Sequence, residues 1–576
     1  MKKYIFTIAA SLLITSTVFA QQQPADTLLR RQMELERDFN PTSRAANKIN
    51  SLPALPQPVI QRANTNFSTW AGRTTPPLEI ALPRPATTMT EIPFDRSRGY
   101  ISLNAGNYAN VDGAAGYRFI DNGRSMLGLN LLHNSTNGNV NYVQEDSDPK
   151  SNKLFLMDNF VQLRFNQIFD ALHLNMHVSY LHSMFNYYGN TFSENRWFEN
   201  ENQRLGVFNA NIGFESQNTS RFGYRGSVDL KNFNTKFGDS LAQNGIRGNE
   251  IDAMLGFSQP FSAGAGNSRI GIDGRFFTTI YGDTLQNYSQ VTAAPYIAFR
   301  GDRFSARLGA DVQMQFIDGN KIRVVPNVDI NLLLSSHSSL YAKAHGGFNP
   351  NTFVSVMNES RYVTPIAAAT MKPSFTVVDL EVGARIGELS GFRFDIFGGF
   401  RQTDDAYFLV NDAMYYYHPG GIALPPIITP IESLTPMLGN LSHSHVGGMI
   451  QTNIWAPLDL SLRLKKNFYT VKEMFDESKA YNKPGFETDI RATFEATSAL
   501  RFTLNYYFAG DRWTRFFSEN VKINNINDLN FGATYRITDF LSVNLKANNL
   551  LFQKYDIWYG FPAQGFNAMG GFTFKF

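Results

Sequence analysis

From Gly99 onward, apolar and polar side chains alternate along the chain, interrupted at intervals by small clusters of turn-forming residues. A period of two marks a strand with one apolar face, because successive side chains leave a strand on opposite sides. The clearest case lies near the C-terminus. Leu529, Phe531, Ala533, Tyr535 and Ile537 alternate with Asn530, Gly532, Thr534 and Arg536. After Thr538-Asp539 the register restarts with Leu541, Val543, Leu545 and Ala547 against Ser542, Asn544, Lys546 and Asn548, which predicts a hairpin with a tight turn. The same arrangement recurs around Phe169-Asp170, Asn218-Thr219 and Gly301-Asp302.

The connections between these strands alternate in length. Short turns are expected at 121–123, 301–302, 388–390, 456–457 and 538–539, and long polar connections at 134–153, 349–374, 401–442, 469–483 and 510–527. Short periplasmic turns and long outer loops are the asymmetry of outer-membrane barrels. That rhythm predicts an all-β, antiparallel transmembrane barrel over residues 99–576 with about 22 strands, an even number that returns both ends to the periplasm. The longest expected loop, 401–442, carries Tyr415, Tyr416 and Tyr417 and an apolar Pro-rich stretch from Ile422 to Pro430. It is expected to fold into the lumen as a constriction or to present a surface to a partner.

The N-terminus sets the compartment. Lys2 and Lys3 precede a mostly apolar run to Phe19, and Ala20 supplies the small residue before a cleavage point, so residues 1–20 read as a signal peptide cut after Ala20. Residues 21–98 carry Pro53, Pro56, Pro58, Pro76, Pro77 and further prolines, which favour an extended periplasmic arm over regular elements. A docking role for this arm and a tail without a task both fit that composition.

Composition narrows the classes. Aromatic residues make up 14% of the chain, with 49 Phe and 25 Tyr, yet mean hydropathy is only −0.25. A barrel needs that mixture of apolar outer face, aromatic girdles and polar lumen. There is no cysteine, which excludes a lipid-anchored lipoprotein, disulfides and thiolate metal sites. A net charge of +3 on 576 residues carries no nucleic-acid signature.

The chain ends Gly571-Phe572-Thr573-Phe574-Lys575-Phe576. The residues place Phe572, Phe574 and Phe576 on the lipid side of a final strand. This segment resembles the closing strand of bacterial outer-membrane barrels, and the resemblance implies that it is read by the barrel-assembly machinery as an insertion signal. Upstream, Asn549-Leu550, Tyr555 and the stretch Gly560-Phe561-Pro562-Ala563-Gln564-Gly565 resemble the end of a TonB-dependent receptor barrel. That family carries a folded plug of well over a hundred residues, whereas here 21–98 shows no strand-like plug pattern and no TonB box. The resemblance therefore implies a receptor-like barrel lacking the N-terminal plug, in the outer membrane of a Gram-negative bacterium.

One cluster invites an enzymatic reading. His133-Asn134-Ser135-Thr136-Asn137-Gly138 follows the strand residues Leu127, Leu129 and Leu131, which puts His133 and Ser135 on the lipid-facing side near the outer leaflet. It is similar to the His-x-Ser-Asn-Gly stretch of outer-membrane phospholipase A, in which the histidine activates the serine; here Thr136 is inserted, and no third orienting residue stands out. An Asn/Ser/Gly-rich loop entrance is the plainer reading. The pairs His443/His445 and His173/His177 share strand faces and suit a metal geometrically, but lumenal histidines meeting water are the preferred reading, and Asp404-Asp405 and 145–148 read by default as solvated acidic loops, with calcium binding as the alternative. No cofactor and no metal are assigned.

The leading expectation is a non-enzymatic pore or transport component held in outer-membrane lipid. A structural or interaction subunit is the second reading, with a periplasmic or surface protein partner engaged through residues 21–98 or the 401–442 loop. A lipid-active hydrolase centred on His133 and Ser135 is the third.

Overall fold

A computed structural model of the chain describes residues 97–576 apart from 145–149, 190–200, 218–221, 239–243, 263–266, 283–284, 318, 388–390, 412–414, 417–426, 429–432, 456, 475–476 and 517–518. The expected signal peptide with its Ala20 cleavage point and nearly all of the 21–98 arm lie outside the described residues. Within them a single 22-stranded antiparallel sheet forms, each strand pairing with the next in the chain. It closes where the first strand, Gly99–Gly106, pairs with the last, Asn567–Lys575, in the register Ile101↔Phe574 and Leu103↔Phe572. Closure leaves no strand edge, which the interior of a membrane requires because it offers no water to exposed backbone groups.

The alternation in the sequence becomes the two walls of the barrel. On the first strand Ile101 and Leu103 are exposed outward while Ser102 and Asn104 are buried inward. The last strand matches it, with Phe572, Phe574 and Phe576 outward and Thr573 inward. Outward aromatics gather at the short-turn end, among them Phe119, Phe169, Phe222, Phe304, Trp455 and Phe540, which is the girdle expected at a membrane interface. Both ends of the barrel meet at this same rim: Gly99 N donates to Phe576 O at 2.8 Å and Phe576 N to Gly99 O at 3.0 Å. No helix among the described residues is long and apolar enough to cross a membrane.

Tight turns stand where the sequence places them at 301–302, between Tyr288–Arg300 and Phe304–Phe316, and at 538–539, between Ile526–Arg536 and Leu541–Asn548, while the expected turns at 218–219 and 388–390 and residue 456 of the turn at 456–457 lie outside the described residues. The outer loops are shorter than expected. The ladder Ser125–Asn141 with Ser151–Ile168 continues to Asn141↔Ser151, so most of 134–153 is strand. Phe392–Val410 likewise pairs with Thr435–Thr452 as far as Val410↔Thr435, so the 401–442 loop contracts to 411–434, most of which lies outside the described residues. Strand Leu458–Lys472 extends into 469–483, and 510–527 holds its own hairpin, Arg512–Phe516 with Glu519–Ile523. The physical reason is common to all four. Above the membrane neither face meets lipid, so the apolar alternation fades while the backbone ladder continues.

Candidate functional site

The lumen is crossed at its outer end by protein. The 350–373 connection carries two short helices, Phe353–Glu359 and Pro365–Ala369. Thr352 starts the first, its hydroxyl oxygen accepting from Ser355 N at 3.1 Å, and Pro365 opens the second at a position that has no need of an N–H. Phe353, Val354, Val356 and Met357 are buried rather than exposed to water. Phe353 stacks on Phe233 of the wall strand Gly223–Thr235, with ring centroids 4.7 Å apart. Burying one such side chain contributes roughly 1.5–3 kcal/mol. The wall also caps the helix: Glu250 Oε1 accepts from Val354 N at 3.2 Å, setting a carboxylate at the positive end of the helix.

Beyond this helix the connection reaches the far side of the barrel. Arg361 makes a two-pronged pair with Asp158, at 2.8 Å from Nη1 and 2.9 Å from Nη2, and Nη1 also donates to Ser183 Oγ at 3.0 Å. Tyr362 then meets the 549–566 loop, stacking on Phe561 at 4.8 Å and standing edge-on to Tyr188 at 5.3 Å. Tyr188 donates its hydroxyl to Pro562 O at 3.1 Å. On the other flank Leu434 N donates to Tyr362 O at 2.8 Å, and Tyr407 donates its hydroxyl to Glu359. These contacts join wall residues from Val140 round to Ile526 with the two loops in one apolar cluster. A lumen lined for water would not carry such a core; this one is a septum.

The 549–566 loop is locked from above. The fully buried Arg512 donates from Nη1 to Asp556 O at 2.8 Å and from Nη2 to Ile557 O. Burial lowers the guanidinium pKa to about 10. Asp556 Oδ2 accepts from Gly560 N at 3.0 Å and from Gln144, while Oδ1 is buried without a partner. Desolvation raises its carboxyl pKa to about 6. Glu359, also desolvated, is raised as well.

Below the septum the wall is polar. At the short-turn end a recess of about 590 Å³ is lined by Arg225, Arg269, Arg300, Arg307, Lys343 and Arg385, with Glu215 and Asp329 as the acidic members. Arg225 and Arg307 both approach Asp273 Oδ2 at 2.6 Å, so the recess retains a cationic surplus. Arg307 lies over the Tyr296 ring at 3.7 Å.

Other predicted residues fall as follows. His443 and His445 are buried, His443 Nε2 bonding Asn467 Oδ1 at 3.0 Å, so they pack against the wall instead of meeting water. His177 pairs with Asn209 at 2.9 Å. Among the described residues no group of three or more His, Cys, Asp or Glu side chains stands close enough to hold a metal ion; 145–148 lies outside them. His133 and Ser135 do come together, Nε2 to Oγ at 3.0 Å, on strand and not at a loop entrance. A third residue joins them: Asn159 Oδ1 lies 2.8 Å from His133 Nδ1. Sequence reading missed it because the link is the register His133↔Asn159 across two strands, which spacing within either strand does not reveal. The septum residues Phe353, Arg361 and Tyr362 were missed too, while Phe561 was marked only as part of the 560–565 stretch. The one signal for them was the uncharged run from Phe353 to Met357 inside an expected polar loop.

No protein-family profile and no curated protein matches the sequence. The fold has clear counterparts among solved structures. The siderophore receptor PirA from Acinetobacter baumannii superposes with a TM-score of 0.61 at 9% identity, over 84% of this chain and 81% of that one. A ferric enterobactin receptor mutant from Pseudomonas aeruginosa, in complex with enterobactin, gives 0.59 at 10% identity, over 83% and 81%. The pyoverdine outer-membrane receptor FpvA from Pseudomonas aeruginosa, bound to pyoverdine, gives 0.58 at 12% identity, over 84% and 79%. The chain thus folds as the 22-stranded outer-membrane barrel of TonB-dependent receptors. Among the described residues its lumen is crossed by outer loops and by no separately folded plug.

Proposed function

We propose that the protein is a transport component of the outer membrane, a conduit whose outer mouth is gated by its own inward-folded loops. The observation that carries this reading is the septum: the 350–373 connection spans the lumen and is tied to the far wall by Arg361 and Asp158. A barrel serving only as a membrane anchor has no use for an apolar core suspended across its opening. The barrel likeness to siderophore receptors supports a transport role without identifying a cargo. The Arg-rich recess on the periplasmic side fits anionic solutes, which bind guanidinium groups by paired hydrogen bonds.

Proteoliposome swelling tests the proposal. Wild-type barrels should admit small anionic solutes slowly, and a variant with 352–370 replaced by a short Gly-Ser linker should admit them several-fold faster. Equal, negligible entry in both would remove the transport reading.

A further inference from the structure

The outer wall carries a polar trio that transport leaves without a task. His133, Ser135 and Asn159 have the parity of Leu131 and Val161, which are exposed on the outer face. They face lipid, where a polar side chain is unfavourable unless partnered. Their depth is defined by their neighbours. On strand Ser125–Asn141 the outward apolar series ends at Leu131, and His133, Ser135 and Asn137 follow it toward the outer end. On the adjacent strand Val161, Leu163 and Phe165 lie below Asn159, with Met157 and Phe155 above it. The outward face thus turns polar at His133 on one strand while apolar residues continue past Asn159 on the other, which sets the trio at the outer edge of the apolar band, within reach of lipid ester bonds. Beside it runs a groove of about 490 Å³, floored by Gly113 and Ala115 and walled by Leu103, Leu131 and Tyr180. His182, the register partner of Asn159, lines the same groove.

We propose that this trio is a serine acyl-hydrolase site acting on the long-chain acyl esters of membrane lipids. With Asn159 Oδ1 as acceptor, His133 carries its proton on Nδ1, which leaves Nε2 free to accept from Ser135 Oγ. Ser135 Oγ attacks the ester carbonyl carbon as His133 Nε2 takes the hydroxyl proton. The resulting tetrahedral oxyanion faces His182, a side chain able to donate to it. Collapse breaks the ester C–O bond, and His133 returns the proton to the leaving alcohol oxygen. Water then reacts in the same sense: His133 removes one proton, the hydroxide oxygen bonds the acyl carbon, and Ser135 Oγ departs and is reprotonated. The balance is one ester and one water to one alcohol and one fatty acid. Asn159 is a positioning residue. A neutral amide suits this depth, where a carboxylate would be strongly disfavoured.

The test uses the full chain purified in detergent and reconstituted, with and without calcium, in phosphatidylethanolamine vesicles or in vesicles containing lipid A. Free fatty acid is measured, and a fluorophosphonate probe is followed by mass spectrometry. Fatty acid is expected from at least one vesicle type, and which of the two separates a phospholipid from a lipid A substrate. The probe should add to Ser135 in the wild type and not in His133→Ala. Ser135→Ala should lose about 10²-fold or more of the release while keeping the heat-resistant folded barrel. Asn159→Ala should lower turnover with little change in apparent KM, and Asn159→Asp, which keeps the acceptor, should recover part of it and shift the pH profile upward. A folded wild type that releases no fatty acid from either lipid and takes up no probe at Ser135 overturns the proposal. So does release that survives Ser135→Ala. Neither result bears on the transport reading.

Discussion

Arg361 and Asp158 face each other across the lumen in a two-pronged ion pair, with N–O distances of 2.8 and 2.9 Å, one borne by a loop and the other by the opposite wall. Both side chains are only 18% exposed, so water contributes little to either charge. Removing one partner of such a pair costs about 3 kcal/mol, because the other is left desolvated and alone. Arg361→Ala should therefore raise the undocked population of the 350–373 connection about 10²-fold. Chymotryptic cleavage at Phe353 and Tyr362 reports it, and an unchanged cleavage rate would mean that the pair does not hold the loop.

The 549–566 loop should respond to pH through Asp556. Its pKa is raised by burial to about 6, above the ordinary aspartate value of 3.8, so the docked loop binds the proton more tightly than the undocked one. Docking is then strongest below about pH 4 and weakens as pH rises to about 6, by roughly 3 kcal/mol in total, with no further change above. Hydrogen-exchange protection of 549–566, corrected for intrinsic rates, should fall over that window. Asp556→Asn, which imitates the protonated form and can donate from the side now unpartnered, should abolish the dependence and hold the loop at its low-pH protection.

The barrel itself was legible in the sequence because lipid enforces alternation. Phe572, Phe574 and Phe576 read as outward and are outward, and the turn residues at 301–302 and 538–539 punctuate the strands where the chain reverses. What lay beyond the membrane was not legible. Thr136–Asn141 pairs as strand although its outward residues Asn137, Asn139 and Asn141 are polar, since above the apolar band no lipid faces it. Phe353, Tyr362 and Phe561 come from separate loops and meet only through the closed barrel, a relation that no periodicity encodes. His133 and Ser135 stood out as a pair, but Asn159 joins them across a strand register.

Phe576 should matter to closure more than its terminal position suggests. It exchanges two backbone hydrogen bonds with Gly99 and its ring lies 6.0 Å from that of Tyr117. Deleting it removes the rung nearest the periplasmic rim where the sheet joins itself. The expected outcome is a lower yield of heat-modifiable folded barrel in outer-membrane fractions. A yield equal to wild type would show that closure is set further along the seam.

Once the septum is gone, the Arg-rich recess should set ion preference. A barrel with 352–370 replaced by a linker should pass anions over cations, since Arg307, Lys343 and Arg385 line its wall at the short-turn end. Arg307→Glu with Arg385→Glu in that background should move the reversal potential in a potassium chloride gradient toward cation preference. An unmoved potential would place the selective region elsewhere.

The central claim is that loop 350–373 closes a conduit, and single-channel recording in planar bilayers tests it most directly. Wild-type protein should show small or rare openings, Arg361→Ala more frequent ones, and the 352–370 replacement a large, steady conductance. Silence in all three, from protein shown to be folded and inserted, would contradict the account, as would a wild-type conductance already equal to that of the loop-replaced barrel.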